Sequence, residues 1–238
     1  MPETMTTGRE MRHLTTKDDL TLAQMFTPAA FAVLRALKAK NQGDTYYECY
    51  LGHLEVAGPD FFDQYNVAWW YGSQSAPRRV LEIGTRTGIS LCQLLASYLD
   101  LSKLEKCVSI DPYPDGFANP GIVKMNLKAL NLWTEAINLI KGRSQDVMFR
   151  LIQEAQKFDY ILIDGDHSVE GAKQDLSFAL DLVEKGGVIV FDDISPAGCN
   201  LIGVWDWFKE HAASKRDRVN LEFHQNMNGK GTAWAIAR

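Results

Sequence analysis

Hydrophobic runs alternate with amphipathic stretches from Pro77 to the end of the chain. Short apolar runs fall at Arg79–Ile83, Lys106–Ile110, Ile137–Ile140, Tyr160–Ile163 and Gly187–Phe191. Helical patterns separate them at about Ile89–Leu99, Gly121–Leu130, Gln145–Gln156, Val169–Glu184 and Leu201–Ala213. Strand alternating with helix predicts an α/β fold built on a parallel, doubly wound sheet. The alternation breaks at the tail, where Val219–His224 and Thr232–Ala237 flank a polar, glycine-bearing joint and predict a hairpin. One strand must then run antiparallel at the sheet edge. Ahead of Pro77 the pattern differs. Residues up to about Asp19 are polar and predict a loose arm. Thr27-Pro28 opens a helix through Leu34, Leu37 and Ala39, and Phe61 to Tyr71 predicts a second, aromatic-rich helical element. The expected division is an N-terminal arm and helical cap over 1–76 and a main domain over 77–238. Trp69, Trp70 and Tyr71 are expected to pack cap on core, and Trp205 and Trp207 to lie mostly in the core.

The segment from Val80 to Ser90 is a buried strand running into a glycine turn and then a helix. Ligands of open α/β sheets sit at such carboxyl ends of strands. A dinucleotide loop would place a second glycine where Arg86 stands between Gly84 and Gly88, so a nicotinamide cofactor is disfavoured. Glu82 would repel phosphates at this position and suits a cationic or hydroxyl-bearing ligand. S-adenosylmethionine has no phosphate and carries an amino group, a sulfonium and a ribose diol. The remaining strand ends also carry polar groups. They are Asp111, the Gly142–Asp146 turn with Ser144 and Gln145 opening a helix, the Asp164-Gly-Asp166-His167 loop, and Asp192-Asp193. Any one acid is equally well an N-cap or a solvated turn. Five strand ends agreeing is a stronger signal.

Composition narrows the classes. The chain has 238 residues and a formal net charge of −5, enough for one sizeable domain with an attached cap and without the basic balance of nucleic-acid binding. Cys49, Cys92, Cys107 and Cys199 show no paired spacing and read as reduced thiols, not as a disulfide frame or a zinc site. No apolar run is long enough to span a membrane, and the expected location is cytoplasmic.

On Leu81-Glu-x-Gly-x-x-x-Gly-x-Ser90, Asp111, Gly142-x-Ser-Gln-Asp146 and the spacing from Asp164 to Asp192-Asp193, the chain resembles the class I S-adenosylmethionine-dependent methyltransferases. Within them it is most similar to the metal-dependent small-molecule O-methyltransferases that act on catechols and antibiotic sugars. The resemblance covers about Pro77 to Arg238. It implies a seven-stranded, Rossmann-like, mostly parallel sheet whose last strand is antiparallel. It implies that Glu82 and Ser90 hold the methionine end beside the Gly84 and Gly88 turn and Asp164. Asp111 would hold ribose, and Ser144 and Gln145 adenine. It further implies Mg²⁺ at Asp164, Asp192 and Asp193, with His167 or Asp166 as general base. Neighbouring strand ends bring the three acids together, and a hard cation would relieve their repulsion. The plainer alternative is that Asp164 and Asp166 shape a turn while Asp192 and Asp193 face water. The expected activity is methyl transfer to a hydroxyl of a sugar or phenol. The competing readings are a metal-free N- or C-methyltransferase and a non-catalytic cofactor-binding or assembly protein. The expected partner is a small-molecule acceptor, with no nucleic acid and no membrane, and the N-terminal region is the candidate surface for a homo-oligomer.

Overall fold

The computed structural model describes Gln64, Val67, Ala68 and residues 76–98, 100–114, 118–215 and 219–238. The helix expected from Thr27-Pro28, most of the Phe61–Tyr71 element and Cys49 lie outside the described residues.

Seven strands form one sheet in the order β3-β2-β1-β4-β5-β7-β6. They are β1 (Arg79–Ile83), β2 (Lys106–Asp111), β3 (Ile137–Lys141), β4 (Phe158–Ile163), β5 (Val183–Phe191), β6 (Leu221–Asn226) and β7 (Thr232–Ala237). The helices between them are α1 (Ile89–Ala96), α2 (Pro120–Ala129), α3 (Ser144–Gln153), α4 (Val169–Leu182) and α5 (Ile202–Ala213). Strands β1 to β5 pair in parallel, and β7 runs antiparallel to both β5 and β6. The antiparallel strand is therefore inside the sheet and not at its edge, which corrects the expectation from the hairpin. The edge belongs to β6. Burial gives the reason: all six residues of β7 are buried, while β6 is mostly half-exposed.

Alternate side chains of each strand enter different cores, as the two-residue period of a strand requires. Val80, Cys107, Tyr160, Leu162, Val188 and Trp234 join one cluster with α1 and α2. Leu81, Val108, Ile161, Ile163, Ile189 and Ala235 join the other with α3, α4 and α5. Both faces are covered, so these strands read as nearly continuous apolar runs.

Strand order reverses between β1 and β4, since β1 continues to β2 on one side and is flanked by β4 on the other. A crevice opens at that switch point, beyond the carboxyl ends of the strands. Gly84 makes it possible. It sits at φ +90°, and a Cβ there would lie 1.7 Å from the Asp164 carbonyl oxygen. No larger residue lets the β1–α1 loop pass so close to the end of β4.

Candidate active site

The crevice is a cavity of about 520 Å³ at the carboxyl ends of β1, β2, β4 and β5 and the start of α3. Its wall includes Gly84, Ser90, Asp111, Ser144, Gln145, Asp164, Asp166, His167 and Asp193, all expected from the sequence. Glu82, Gly88 and Asp192 do not belong to this lining. Glu82 is 2% exposed and accepts hydrogen bonds from the hydroxyls of Ser90 and Ser109. Ser90, not Glu82, thus presents its side chain to the cavity. Gly88 is the left-handed N-cap of α1, packed so closely on Val123 that a Cβ would lie 2.7 Å from its side chain. Asp192 is buried and accepts a 2.8 Å bond from the Thr232 hydroxyl.

Local geometry aims the remaining groups. Asp111 ends β2, and its two oxygens accept the backbone N–H groups of Arg86 at 2.8 Å and Tyr113 at 2.5 Å. Each oxygen keeps lone pairs for a ligand. Arg86 itself adopts φ +48°, so the position expected to exclude a dinucleotide has the left-handed backbone of a glycine, and Arg86 is exposed on the cavity wall. Ser144 and Gln145 stand in the first turn of α3, where backbone N–H groups have no partner within the helix and no side chain caps them. Asp166 accepts the Ser168 N–H at 2.8 Å at the start of α4.

Three carboxylates converge where β4 and β5 end. Asp164, Asp192 and Asp193 each offer an oxygen within 4.8 Å of the others. An all-carboxylate set of this size fits a hard divalent cation such as Mg²⁺. His167 Nε2 lies 3.3 Å from Asp164 Oδ1 and 3.3 Å from Asp193 Oδ2. Sequence reasoning missed two participants. Gln64 Nε2 donates to Asp164 Oδ2 at 2.6 Å, from the segment ahead of β1. Lys230, in the β6–β7 turn, lines the cavity with its Nζ 3.3 Å from Asp193 Oδ1.

These neighbours set the protonation of the site. Burial pushes the Glu82 carboxyl up to about 7, against the lowering by Ser109 and Ser90. The hydrogen bond to Asp164 holds His167 above its ordinary value, helped by the charges of Asp164 and Asp193 and opposed by burial and Lys230. Burial works against the Lys230 ammonium, but Asp193, Asp192 and Asp164 together hold its pKa above the usual lysine range.

His211, His224, Trp205, Trp207 and Trp234 lie outside the cavity lining. His211 stacks on Trp207, His224 stacks on Trp234, and Trp205 is fully buried among Phe191, Phe208 and Phe223. Cys92 and Cys107 are buried free thiols, and Cys199 is an exposed one. Among the described residues no helix is long and apolar enough to cross a membrane.

Comparison with known proteins agrees with the fold. The methyltransferase-domain family model matches residues 81–194, which span β1 to the loop after β5. A probable caffeoyl-CoA O-methyltransferase 3 of Dictyostelium discoideum is 28% identical over 127 residues, 52% of this chain and 47% of that protein. Uncharacterized protein R132 of Acanthamoeba polyphaga mimivirus is 30% identical over 115 residues, 48% of this chain and 50% of that protein. The chain thus spans about half the length of the curated relatives it matches. Among solved structures, an O-methyltransferase from Bacillus cereus in complex with SAH superimposes with a TM-score of 0.56 at 20% identity, covering 94% of this chain and 93% of that one. A putative caffeoyl-CoA O-methyltransferase from Staphylococcus aureus gives a TM-score of 0.55 at 15% identity, covering 88% of this chain and 99% of that one. Residues 81–194 thus resemble a methyltransferase domain, and the chain shares the Rossmann-like fold of these solved O-methyltransferases.

Proposed function

We propose that this protein moves the methyl group of S-adenosylmethionine to a hydroxyl oxygen of a small molecule, a sugar or a phenol. The observation that carries this reading is the meeting of Asp164, Asp192 and Asp193 beside His167 at the end of the cavity. The phenolic alternative also draws on the name of the Dictyostelium relative.

In this reading Asp111 accepts the ribose hydroxyls, and Ser144 and Gln145 face adenine. Ser90, backed by Glu82, faces the methionine end beside the Gly84–Gly88 turn. Asp164, Asp192 and Asp193 would hold Mg²⁺, which when bound lowers the pKa of an acceptor hydroxyl and orients it. His167 takes the proton of that hydroxyl as the carbon–oxygen bond forms and the carbon–sulfur bond breaks. The proton ends on Nε2 and the departing thioether is neutral. Asp164 and Asp193 stabilise the imidazolium so formed. Asp166 is the second candidate base, although one of its oxygens is committed to the Ser168 N–H.

A metal-free N- or C-methyltransferase is favoured by one observation, the Lys230 ammonium set against Asp193. The two readings separate in one experiment. The protein is incubated with S-adenosylmethionine and pooled hydroxylated metabolites, with Mg²⁺ or with EDTA, and products are read by mass spectrometry. An O-methylated product formed only with Mg²⁺ is expected. Equal turnover in EDTA, or methylation at nitrogen or carbon, would transfer the assignment to the second reading. Cofactor binding by calorimetry with no turnover on any pool would leave a binding protein.

A further inference from the structure

We propose that His167, Asp193 and Cys199 form a second cation site that takes Zn²⁺ and shares Asp193 with the all-carboxylate set. Ligand atoms of the three residues lie within 4.8 Å of one another. Asp193 Oδ2 is the meeting point, 3.3 Å from His167 Nε2 and 3.6 Å from Cys199 Sγ. Zinc bonds of about 2.0–2.1 Å to nitrogen, about 2.0–2.2 Å to oxygen and about 2.3 Å to sulfur require tetrahedral edges of about 3.4 Å for N···O and about 3.6 Å for O···S. The two edges that meet at Asp193 Oδ2 therefore already fit the ion, and the His167 and Cys199 donors lie within 4.8 Å of each other. The donor chemistry sorts the cations as well. A nitrogen, a carboxylate oxygen and a thiolate suit zinc, whereas magnesium takes oxygen ligands.

The loop after β5 builds this spacing without help from a ligand. Asp193 adopts φ +60°, a left-handed conformation that is uncommon outside glycine. Its carbonyl oxygen accepts the N–H groups of Cys199 and Leu201, both at 3.2 Å, which folds the loop back and returns the thiol to the carboxylate. Lys230 engages the other oxygen, Oδ1, at 3.3 Å, which leaves Oδ2 turned toward His167 and Cys199. His167 has a side chain 44% exposed and Cys199 is exposed, so a cation can enter and a fourth position stays open.

Binding must expel a proton. Burial and the Asp193 charge push the Cys199 thiol up to about 11, so it is protonated at neutral pH. A coordinated thiol is deprotonated outright, and the proton leaves to solvent. Zinc at this site also occupies the His167 nitrogen and one oxygen of Asp193. Inhibition of methyl transfer by zinc follows from that occupancy and rests on the function proposed above, whereas zinc binding itself does not.

Co²⁺ is the probe for the site, titrated into the metal-free full chain. A thiolate-to-cobalt charge-transfer band that saturates at about one equivalent and is abolished by Zn²⁺ is expected. Cys199→Ser should lose the band and bind Zn²⁺ at least about tenfold more weakly in competition with a chromogenic chelator, with unchanged Mg²⁺ affinity. Asp164→Asn should keep the band and lose Mg²⁺ affinity. Absence of the band in the wild-type protein overturns the site without recourse to any variant. A band or a zinc affinity that survives Cys199→Ser overturns it equally, since another thiol or the carboxylate set would then hold the metal.

Discussion

Gln64 and Asp164 are joined by a 2.6 Å hydrogen bond, from the Gln64 amide to Oδ2 of the acid that ends β4. Gln64 is 1% exposed, and Val67 and Ala68 beside it belong to the same core as Val80, Leu91 and Trp234. Val67 and Ala68 therefore pack into the sheet's own core, and Gln64 delivers its side chain to the strand-end acids. With Oδ2 taken by Gln64, Oδ1 is the Asp164 oxygen turned to His167. Asp164 is thus oriented from two sides before any ligand arrives.

Asp111→Asn should weaken S-adenosylmethionine binding at least about tenfold, the loss that about 1.4 kcal/mol produces. Charge-assisted bonds to hydroxyls contribute about 1.5–3 kcal/mol each, and the amide cannot supply them to both ribose hydroxyls. The asparagine keeps an oxygen for the N–H of Arg86 or Tyr113, so the turn is disturbed less than by alanine. Calorimetry on the folded variant is the measurement. An unchanged affinity would remove Asp111 from the ribose.

The sheet was legible in the sequence where strands are buried on both faces, because apolar runs then mark them directly. The bounds expected for β1 and β7 are those observed. The place of the antiparallel strand was misjudged, although the signal was present. Thr-Ala-Trp-Ala-Ile-Ala is a central-strand composition, and Leu-Glu-Phe-His-Gln-Asn alternates as an edge strand does. That error hid Lys230. With β7 antiparallel beside β5, Ala233 pairs with Phe191, and the β6–β7 turn must return to the ligand end of the sheet. Residue spacing alone does not carry such a juxtaposition. Cys199 was passed over for a related reason, since its approach to Asp193 depends on a backbone turn and not on a spacing motif. Glu82 lay at the expected strand end, but the β-strand period turns it to the α1 face, behind Ser90.

Glu82→Gln should alter the pH dependence of stability. Burial raises the Glu82 pKa from 4.5 to about 7 in the folded chain, so folding favours the protonated form. Its contribution is fully present below 4.5 and is lost as pH rises through about 7. The change amounts to about 3 kcal/mol, because each tenfold change in proton affinity is about 1.4 kcal/mol. Urea denaturation at pH 5 and pH 8 should therefore show the wild-type protein losing stability relative to Glu82→Gln. Parallel behaviour of the two proteins would mean that Glu82 ionises as an exposed glutamate does.

Asp192→Asn should reduce turnover far more than cofactor affinity. Asp192 is buried, held by the Thr232 hydroxyl, and is outside the cavity lining. Its contribution is to a cation that orients the acceptor, not to S-adenosylmethionine. Raised Mg²⁺ concentration should restore part of the lost rate. Proportional loss of cofactor affinity and rate would place Asp192 in the cofactor subsite, and full activity of metal-free enzyme would remove the metal from the mechanism.

His167 should titrate above 6.5 in the metal-free protein, because the hydrogen bond to Asp164 and the charges of Asp164 and Asp193 outweigh burial and Lys230. Only neutral imidazole accepts a proton, so a raised pKa moves the rising limb of the pH–rate profile upward. Mg²⁺ bound to Asp164 and Asp193 cancels those charges and should move the same titration down. Proton NMR of the His167 ring, with and without Mg²⁺, reads both changes, and Asp164→Asn should lower the metal-free value. His167→Ala should cut turnover by about 10²–10⁴-fold with little change in cofactor binding. Asp166→Ala is the control. A larger loss there, with His167→Ala near normal, would make Asp166 the base. If both variants turn over at the wild-type rate, neither side chain takes the proton, and His167 serves only to hold Asp164 and Asp193 in register.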